Sequence, residues 1–210
     1  MLKRDKLDAI VCGTGMQLHA EICIAAMRAG KDVLCEVAAA MTMDECWGLV
    51  KTQRETGRVY MLSENCCYWA HLLMLRKMVE EGLFGDITYA ECGYVHDCRR
   101  LAFDSSGALT WRGEMARDVA GNVYPTHDLG PIAKCLGINR GDRLVSLTAM
   151  QSRNDSLNRY VAQRFPAGHP ARDVCFKLAD STNVLIRTAK GVLINQRFDM
   201  YSARPAEGPY

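Results

Sequence analysis

Ala9-Ile10-Val11-Cys12-Gly13-Thr14-Gly15 is the stretch whose reading decides the fold. Four apolar residues run into two closely spaced glycines, and apolar residues then recur at Ile22, Ala25, Ala26 and Ala29 before Gly30. That order is strand, turn and helix, with a glycine as the stop. The pattern repeats downstream. Asp32-Val33-Leu34-Cys35 is a second strand leading to Glu36, Thr42-Met43-Asp44-Glu45 is a capping box opening a helix that ends before Gly57, and Val59-Tyr60-Met61-Leu62 is a third strand. Strands alternating with helices imply right-handed parallel crossovers, and ligands of such sheets bind beyond the carboxyl ends of the strands. The residues at those ends are Thr14 to His19, Glu36-Val37 and Glu64-Asn65.

After Asn65 the pattern changes, which places a domain boundary near Cys66. A helix from about Ala70 to Glu81 stops at Gly82, a strand follows from Asp86 to Tyr94, and a long polar loop runs through Trp111 and Arg112. Leu144 to Met150, Asn183 to Arg187 and Val192 to Phe198 read as strands, the last two joined by a turn around Lys190-Gly191. Strands in succession without helices between them imply a mostly antiparallel sheet. The fold class is therefore α/β, then α+β. Ser152 to Arg172 reads as an exposed loop, and Arg204 to Pro209 shows no periodicity.

Composition narrows the functional classes. The chain has 210 residues, 49% hydrophobic and 24% charged, which is ordinary for a globular protein. Its net charge of +2 is near balance and its Lys and Arg are scattered, so nucleic acid is not an expected partner. No apolar run approaches the ~20 residues of a membrane span, and no signal-peptide core follows Met1 to Lys6. The cytoplasm is the default compartment, with the alternative of an export signal lost with the amino terminus left open. Of ten cysteines, Cys12, Cys35 and Cys92 fall in strands and Cys23, Cys46 and Cys135 in helices, where Cys acts as a small buried hydrophobe. Cys66 and Cys67 are adjacent and no C-x-x-C pair occurs, so reduced thiols are expected and no metal site.

The chemistry-bearing pattern is two phenol–imidazole pairs. In Tyr124-Pro125-Thr126-His127, opening a helix, the three-residue spacing sets Tyr124 and His127 on one face. In Gly93-Tyr94-Val95-His96-Asp97 the two-residue spacing does the same for Tyr94 and His96 on a strand. Such pairs suit proton transfer on a hydroxyl-rich substrate. The same four side chains read equally well as half-buried residues with one hydrogen bond each.

His19, Ala29-Gly30-Lys31-Asp32-Val33-Leu34-Cys35-Glu36 and Glu64-Asn65 are together similar to the second half of the nucleotide-binding domain of the Gfo/Idh/MocA oxidoreductase superfamily. Leu83-Phe84-Gly85-Asp86-Ile87 resembles the start of its sheet-rich second domain. Gly93 to Asp97, Trp111-Arg112, Tyr124 to His127 and Asn139-Arg140-Gly141 most resemble the family 109 glycoside hydrolases, typified by alpha-N-acetylgalactosaminidase. The resemblance covers nearly the whole chain. It implies the second half of a Rossmann-like parallel sheet in residues 1–65 and an incomplete substrate-binding domain in residues 66–210. It also implies a glycosidase using tightly held NAD, which oxidises the sugar at its third carbon, permits elimination of the glycosidic oxygen, and is restored after water adds. Cofactor contacts would be Met16, Gln17, Leu18, His19, Glu36, Val37 and Asn65. Substrate contacts would be Tyr94, His96, Arg112, Tyr124, Pro125, Thr126 and His127, with Tyr124 and His127 transferring protons. A homo-oligomer through the second-domain sheet is a further implication.

Departures from the family pattern keep two other readings open. Glu36-Val37-Ala38 stands where most superfamily members carry Glu-Lys-Pro, which points away from an ordinary NAD(P)-dependent sugar or polyol dehydrogenase, the runner-up function. Gly13 to Leu18 satisfies only the first two glycines of G-x-G-x-x-G. A phosphate loop and its strand are thus expected upstream, with truncation at both ends and an exposed apolar edge on Ala9 to Cys12. Met16 replaces an aromatic, Asp128 a glycine, and Ala206 the closing tyrosine. The third reading is a non-catalytic fragment that binds sugars or a partner.

Overall fold

The computed structural model describes Leu2 and residues 6–203, so the expectations for Arg204 to Pro209 and Ala206 lie outside the described residues. The chain divides into two compact units, Met1–Asn65 and Cys66–Tyr210.

In the first unit, strands β1 (Ala9–Cys12), β2 (Asp32–Cys35) and β3 (Tyr60–Leu62) form a parallel sheet in that order, with Cys12 opposite Cys35. Helix α1 (His19–Arg28) follows β1, and α2 (Met43–Thr56) follows β2. Alternate residues of β1 and β2 are buried, and they meet Ala20, Cys23, Ala26 and Met27 of α1. Three of those four helix residues are small, which lets α1 lie close on the sheet. Burying Ile10, Val33 and Met27 supplies about 1.5–3 kcal/mol each. The capping box of α2 forms as read: Glu45 N–H donates to Thr42 Oγ1 at 3.2 Å and Thr42 N–H to Glu45 Oε2 at 3.0 Å. Gly57, at φ 64°, ends the helix in the left-handed region that favours glycine. Among the described residues β1 is an edge strand, and its Val11 is 74% exposed.

The second unit holds α3 (Ala70–Glu80), β4 (Tyr89–Val95), α4 (Trp111–Asp118), α5 (Thr126–Cys135), β5 (Leu144–Gln151), α6 (Ser156–Arg164), β6 (Thr182–Thr188) and β7 (Leu193–Asp199). The sheet order is β4-β7-β6-β5, parallel between β4 and β7 and antiparallel at the other two pairings. The sheet is thus mixed and mostly antiparallel. Val184 and Ile186 of β6, Ile194 of β7 and Cys92 of β4 pack with Ile132 of α5 in one core.

Two segments expected to be loops are helical. Ser152 to Arg172 contains α6, with Leu157 and Val161 buried one turn apart, and a short 3-10 turn at Pro170–Asp173. Leu157, Tyr160 and Val161 form an apolar stripe whose polar neighbours obscure it in sequence. The stripe's Tyr160, with Phe165 just beyond the helix, meets Phe103, which also contacts Phe176 edge-on. Trp111 and Arg112 likewise open α4, whose start Thr110 caps through its side chain. Gly113 conceals that helix in sequence, since glycine disfavours helices. It is required because a Cβ there would overlap the Ala102 carbonyl oxygen. None of the ten cysteines is joined in a disulfide. Cys46, expected to be buried, is exposed on the outer face of α2.

Candidate functional site

The candidate cofactor residues stand at the carboxyl ends of the parallel strands, as that topology dictates. Met16–Leu18 form a 3-10 turn after β1, in which Met16 is buried, Gln17 half-buried and Leu18 exposed. His19 opens α1 and is buried, with Nδ1 2.8 Å from Ala38 O and Nε2 3.0 Å from Thr14 O. Its ring therefore ties the turn after β1 to the segment after β2, and its side chain does not cap the helix. Glu36 and Asn65 are exposed at the ends of β2 and β3, and Val37 is buried.

In the second unit the two phenol–imidazole pairs converge. Tyr94 closes on three rings, with centroids 4.4 Å from His96, 5.1 Å from Tyr124 and 5.4 Å from His127. Tyr124 and His127 are 5.2 Å apart. His96 lies one residue past β4, yet its N–H bonds Asp199 O at 2.8 Å, prolonging the extended register that keeps it beside Tyr94. Tyr124 precedes α5 rather than belonging to it: Pro125 is the N-cap and Thr126 and His127 are the first turn. Asn122 Oδ1 accepts from Tyr124 N–H at 3.0 Å and fixes the approach. The Thr126 hydroxyl is buried and completes no hydrogen bond among the described residues.

The electrostatics separate the members of this cluster. Burial first, and then the neighbouring Tyr124, push the Tyr94 phenol above its ordinary range, so it remains a proton donor at neutral pH. Burial first, and then His127, hold His96 below the ordinary imidazole value, so it is neutral there. Arg112 lies with its guanidinium 4.2 Å over the Trp111 ring, and its charge is felt by Tyr94 and Tyr201.

Sequence reasoning missed four residues around this cluster. Cys66 Sγ is 3.4 Å from His127 Nδ1. Asp128 is 1% exposed, and burial pushes its carboxyl up to about 6 despite a hydrogen bond from Gln196. Gln196 Nε2 donates both to Asp128 Oδ1 at 2.8 Å and to Pro125 O at 2.9 Å, clamping the start of α5 to β7. The Tyr201 hydroxyl donates to Arg112 O at 3.4 Å. Only Asp128 left a trace in sequence, as a carboxylate where glycine is usual.

Residues 68–209 match the family model described as glycosyl hydrolase 109, C-terminal domain, and residues 1–64 match the oxidoreductase family, NAD-binding Rossmann fold. The chain is 41% identical over 205 residues to a glycosyl hydrolase family 109 protein of Solibacter usitatus, covering 98% of this chain and 47% of that one. It is 36% identical over 209 residues to the alpha-N-acetylgalactosaminidase of Bacteroides fragilis, covering 98% and 49%. The chain thus spans about half the length of the curated relatives it matches. Among solved structures, an inositol dehydrogenase homologue of Azotobacter vinelandii complexed with NADH and myo-inositol aligns at TM-score 0.72 and 17% identity, over 99% of this chain and 48% of that one. An oxidoreductase domain protein of Kribbella flavida aligns at TM-score 0.69 and 24% identity, over 98% and 52%. These two likenesses are of fold. No helix among the described residues is long and apolar enough to cross a membrane.

Proposed function

This chain belongs to the glycosyl hydrolase 109 family, and from that premise we propose that its first unit binds NAD and its second an alpha-N-acetylgalactosaminide-type glycoside, cleaved through transient oxidation at the third sugar carbon. The observation that carries this reading is the convergence of Tyr124, His96 and His127 on Tyr94. A hydrolase working through an oxocarbenium-like transition state uses two carboxylates flanking the bond. Phenols and imidazoles instead suit removal of a proton beside a carbonyl and stabilisation of the resulting enolate.

Unit 1 fits the nicotinamide end of the cofactor. Glu36 and Asn65 offer exposed polar groups at the strand ends, and a Cβ on Gly13 would meet only Glu36 Cγ, at 3.9 Å, so the turn leaves room. When bound, NAD supplies a hydride acceptor and donor. The protein's own groups handle the protons. His127, with Tyr124 beside it, takes the proton from the carbon next to the oxidised one and returns one to the departing oxygen. Tyr94, held protonated, donates a hydrogen bond to the developing enolate oxygen. His96, held neutral, would take the proton of the hydroxyl on the carbon to be oxidised and return it when that carbon is reduced again, and the planar fork of Arg112 would grip a hydroxyl or acetamido oxygen.

The test mixes the chain with NAD and an aryl alpha-N-acetylgalactosaminide. The expected result is release of the aryl alcohol without accumulating NADH absorbance. Accumulating NADH with no alcohol would replace this reading with a sugar or polyol dehydrogenase. Absence of calorimetric NAD binding would sink both and leave a sugar- or partner-binding chain.

A further inference from the structure

The first unit contains a second constellation of reactive side chains, in its core. Cys12 ends β1, Cys35 ends β2 directly opposite it, and Cys23 projects from α1 onto the same face of the sheet. The three sulfurs all lie within 4.8 Å of one another, and none of the residues is more than 2% exposed. We propose that Cys12, Cys23 and Cys35 form a preformed three-thiol site for a single thiophilic ion, with a trivalent ion such as arsenic(III) as its preferred guest.

Geometry supports the site. With bonds to sulfur of about 2.3 Å, three sulfurs around a pyramidal three-coordinate centre such as arsenic(III) stand roughly 3.5 Å apart, so the cluster closes on the ion by drawing its side chains together by about 1 Å, between strands whose pairing already sets Cys12 opposite Cys35. Soft sulfur ligands select soft ions.

Charge decides which ion. The walls are Ile10, Ala20, Ala26, Met27, Val33 and Leu49, and uncompensated charge in such a core is costly. Three thiolates on zinc(II) leave one net negative charge, and on copper(I) two. A trivalent ion leaves none. Arsenous acid reacts with the three thiols by forming three As–S bonds and breaking three As–O bonds. Each thiol proton leaves on a hydroxide as water, and no electrons change hands. The buried Tyr60 hydroxyl lies beside Cys35 and can donate to its sulfur.

The cluster lies near the carboxyl end of the sheet. Cys12 Sγ is 3.8 Å from the hydroxyl of Thr14, which is exposed at the carboxyl end of the sheet. Metal-binding sequence motifs would not reveal this site, because its ligands come from three elements and none is in a C-x-x-C pair.

The experiment titrates the reduced chain with arsenite, without air, and counts bound arsenic by native mass spectrometry. One arsenic per chain is expected, with three sulfurs around it by X-ray absorption. Replacing the exposed Cys46 and Cys175 together by Ala should leave binding unchanged. Cys23→Ala should weaken it by more than the roughly 10- to 100-fold that losing a mere supporting partner costs a metal site. Wild-type tightness in Cys23→Ala, or no uptake by the wild type, overturns the site. Should Cys23→Ala fail to fold, alkylation of the wild type in mild denaturant decides the matter. Bound arsenite should protect Cys12, Cys23 and Cys35, and protection mapping to other cysteines overturns the proposal. Tighter binding of zinc than of arsenite would overturn the preference for a trivalent ion.

Discussion

Cys66 Sγ stands 3.4 Å from Nδ1 of His127, so a thiol at the start of the second unit holds the imidazole that the phenols surround. The contact assigns Nδ1 to the protein and directs proton exchange with a substrate to Nε2. One ordinary hydrogen bond contributes about 0.5–1.5 kcal/mol, which is roughly a 2- to 12-fold effect. Cys66→Ala should therefore lower kcat by roughly that factor with little change in KM, and Cys66→Ser should recover part of it. A loss as large as that from removing His127 would make the thiol a participant instead.

His127→Ala should lower glycoside cleavage by about 10²- to 10⁴-fold, the usual range for a general acid–base group, and spare NAD binding. Tyr124→Phe removes only the hydroxyl and tests the other half of the pair. Near-normal turnover in His127→Ala, measured by aryl alcohol release, would remove that residue from the mechanism.

Asp128 makes stability depend on pH in the opposite sense from most carboxylates. Burial raises its pKa from an ordinary 3.8 to about 6, so between those values the folded state holds a proton that the unfolded state has released. Stability from this group is thus present below pH ~4 and lost as pH rises towards 6, by about 3 kcal/mol at most. Asp128→Asn keeps the acceptor for Gln196 and cannot ionise. Urea titrations from pH 4 to 7 should show the difference between variant and wild type growing through that window. A difference that stays flat with pH would place the Asp128 carboxyl near its ordinary value.

Gly113→Ala should destabilise the second unit by about 1–3 kcal/mol or more, because the added Cβ meets backbone rather than a movable side chain. Arg112 would shift with the start of α4, so substrate KM should rise as well. Thermal unfolding beside steady-state kinetics checks both, and an unchanged melting temperature would show that the helix start can give way.

Local signals made much of this legible. The alternation of short apolar runs with glycines and a capping box was enough for the parallel unit, because those determinants lie within a few residues of one another. Tyr94 with His96, and Tyr124 with His127, were visible as pairs for the same reason. The helices α4 and α6 were not: Gly113 is there because of the distant Ala102 carbonyl, and the stripe of Leu157, Tyr160 and Val161 has meaning only against Phe103 and Phe176.

By itself, then, the sequence determined the order and type of most elements, the strand ends where a ligand would lie, and the reactive pairs, all properties of short-range spacing. Only the tertiary structure decided that the two pairs share Tyr94 as their centre, that Cys66 and Gln196 hold His127 and the start of α5, and that Cys12, Cys23 and Cys35 meet in one core. Apart from Tyr94 with His96, those contacts join residues 11 to 71 positions apart. Packing of helix on sheet brings them together, and no periodicity along the chain encodes which distant residue will be the neighbour.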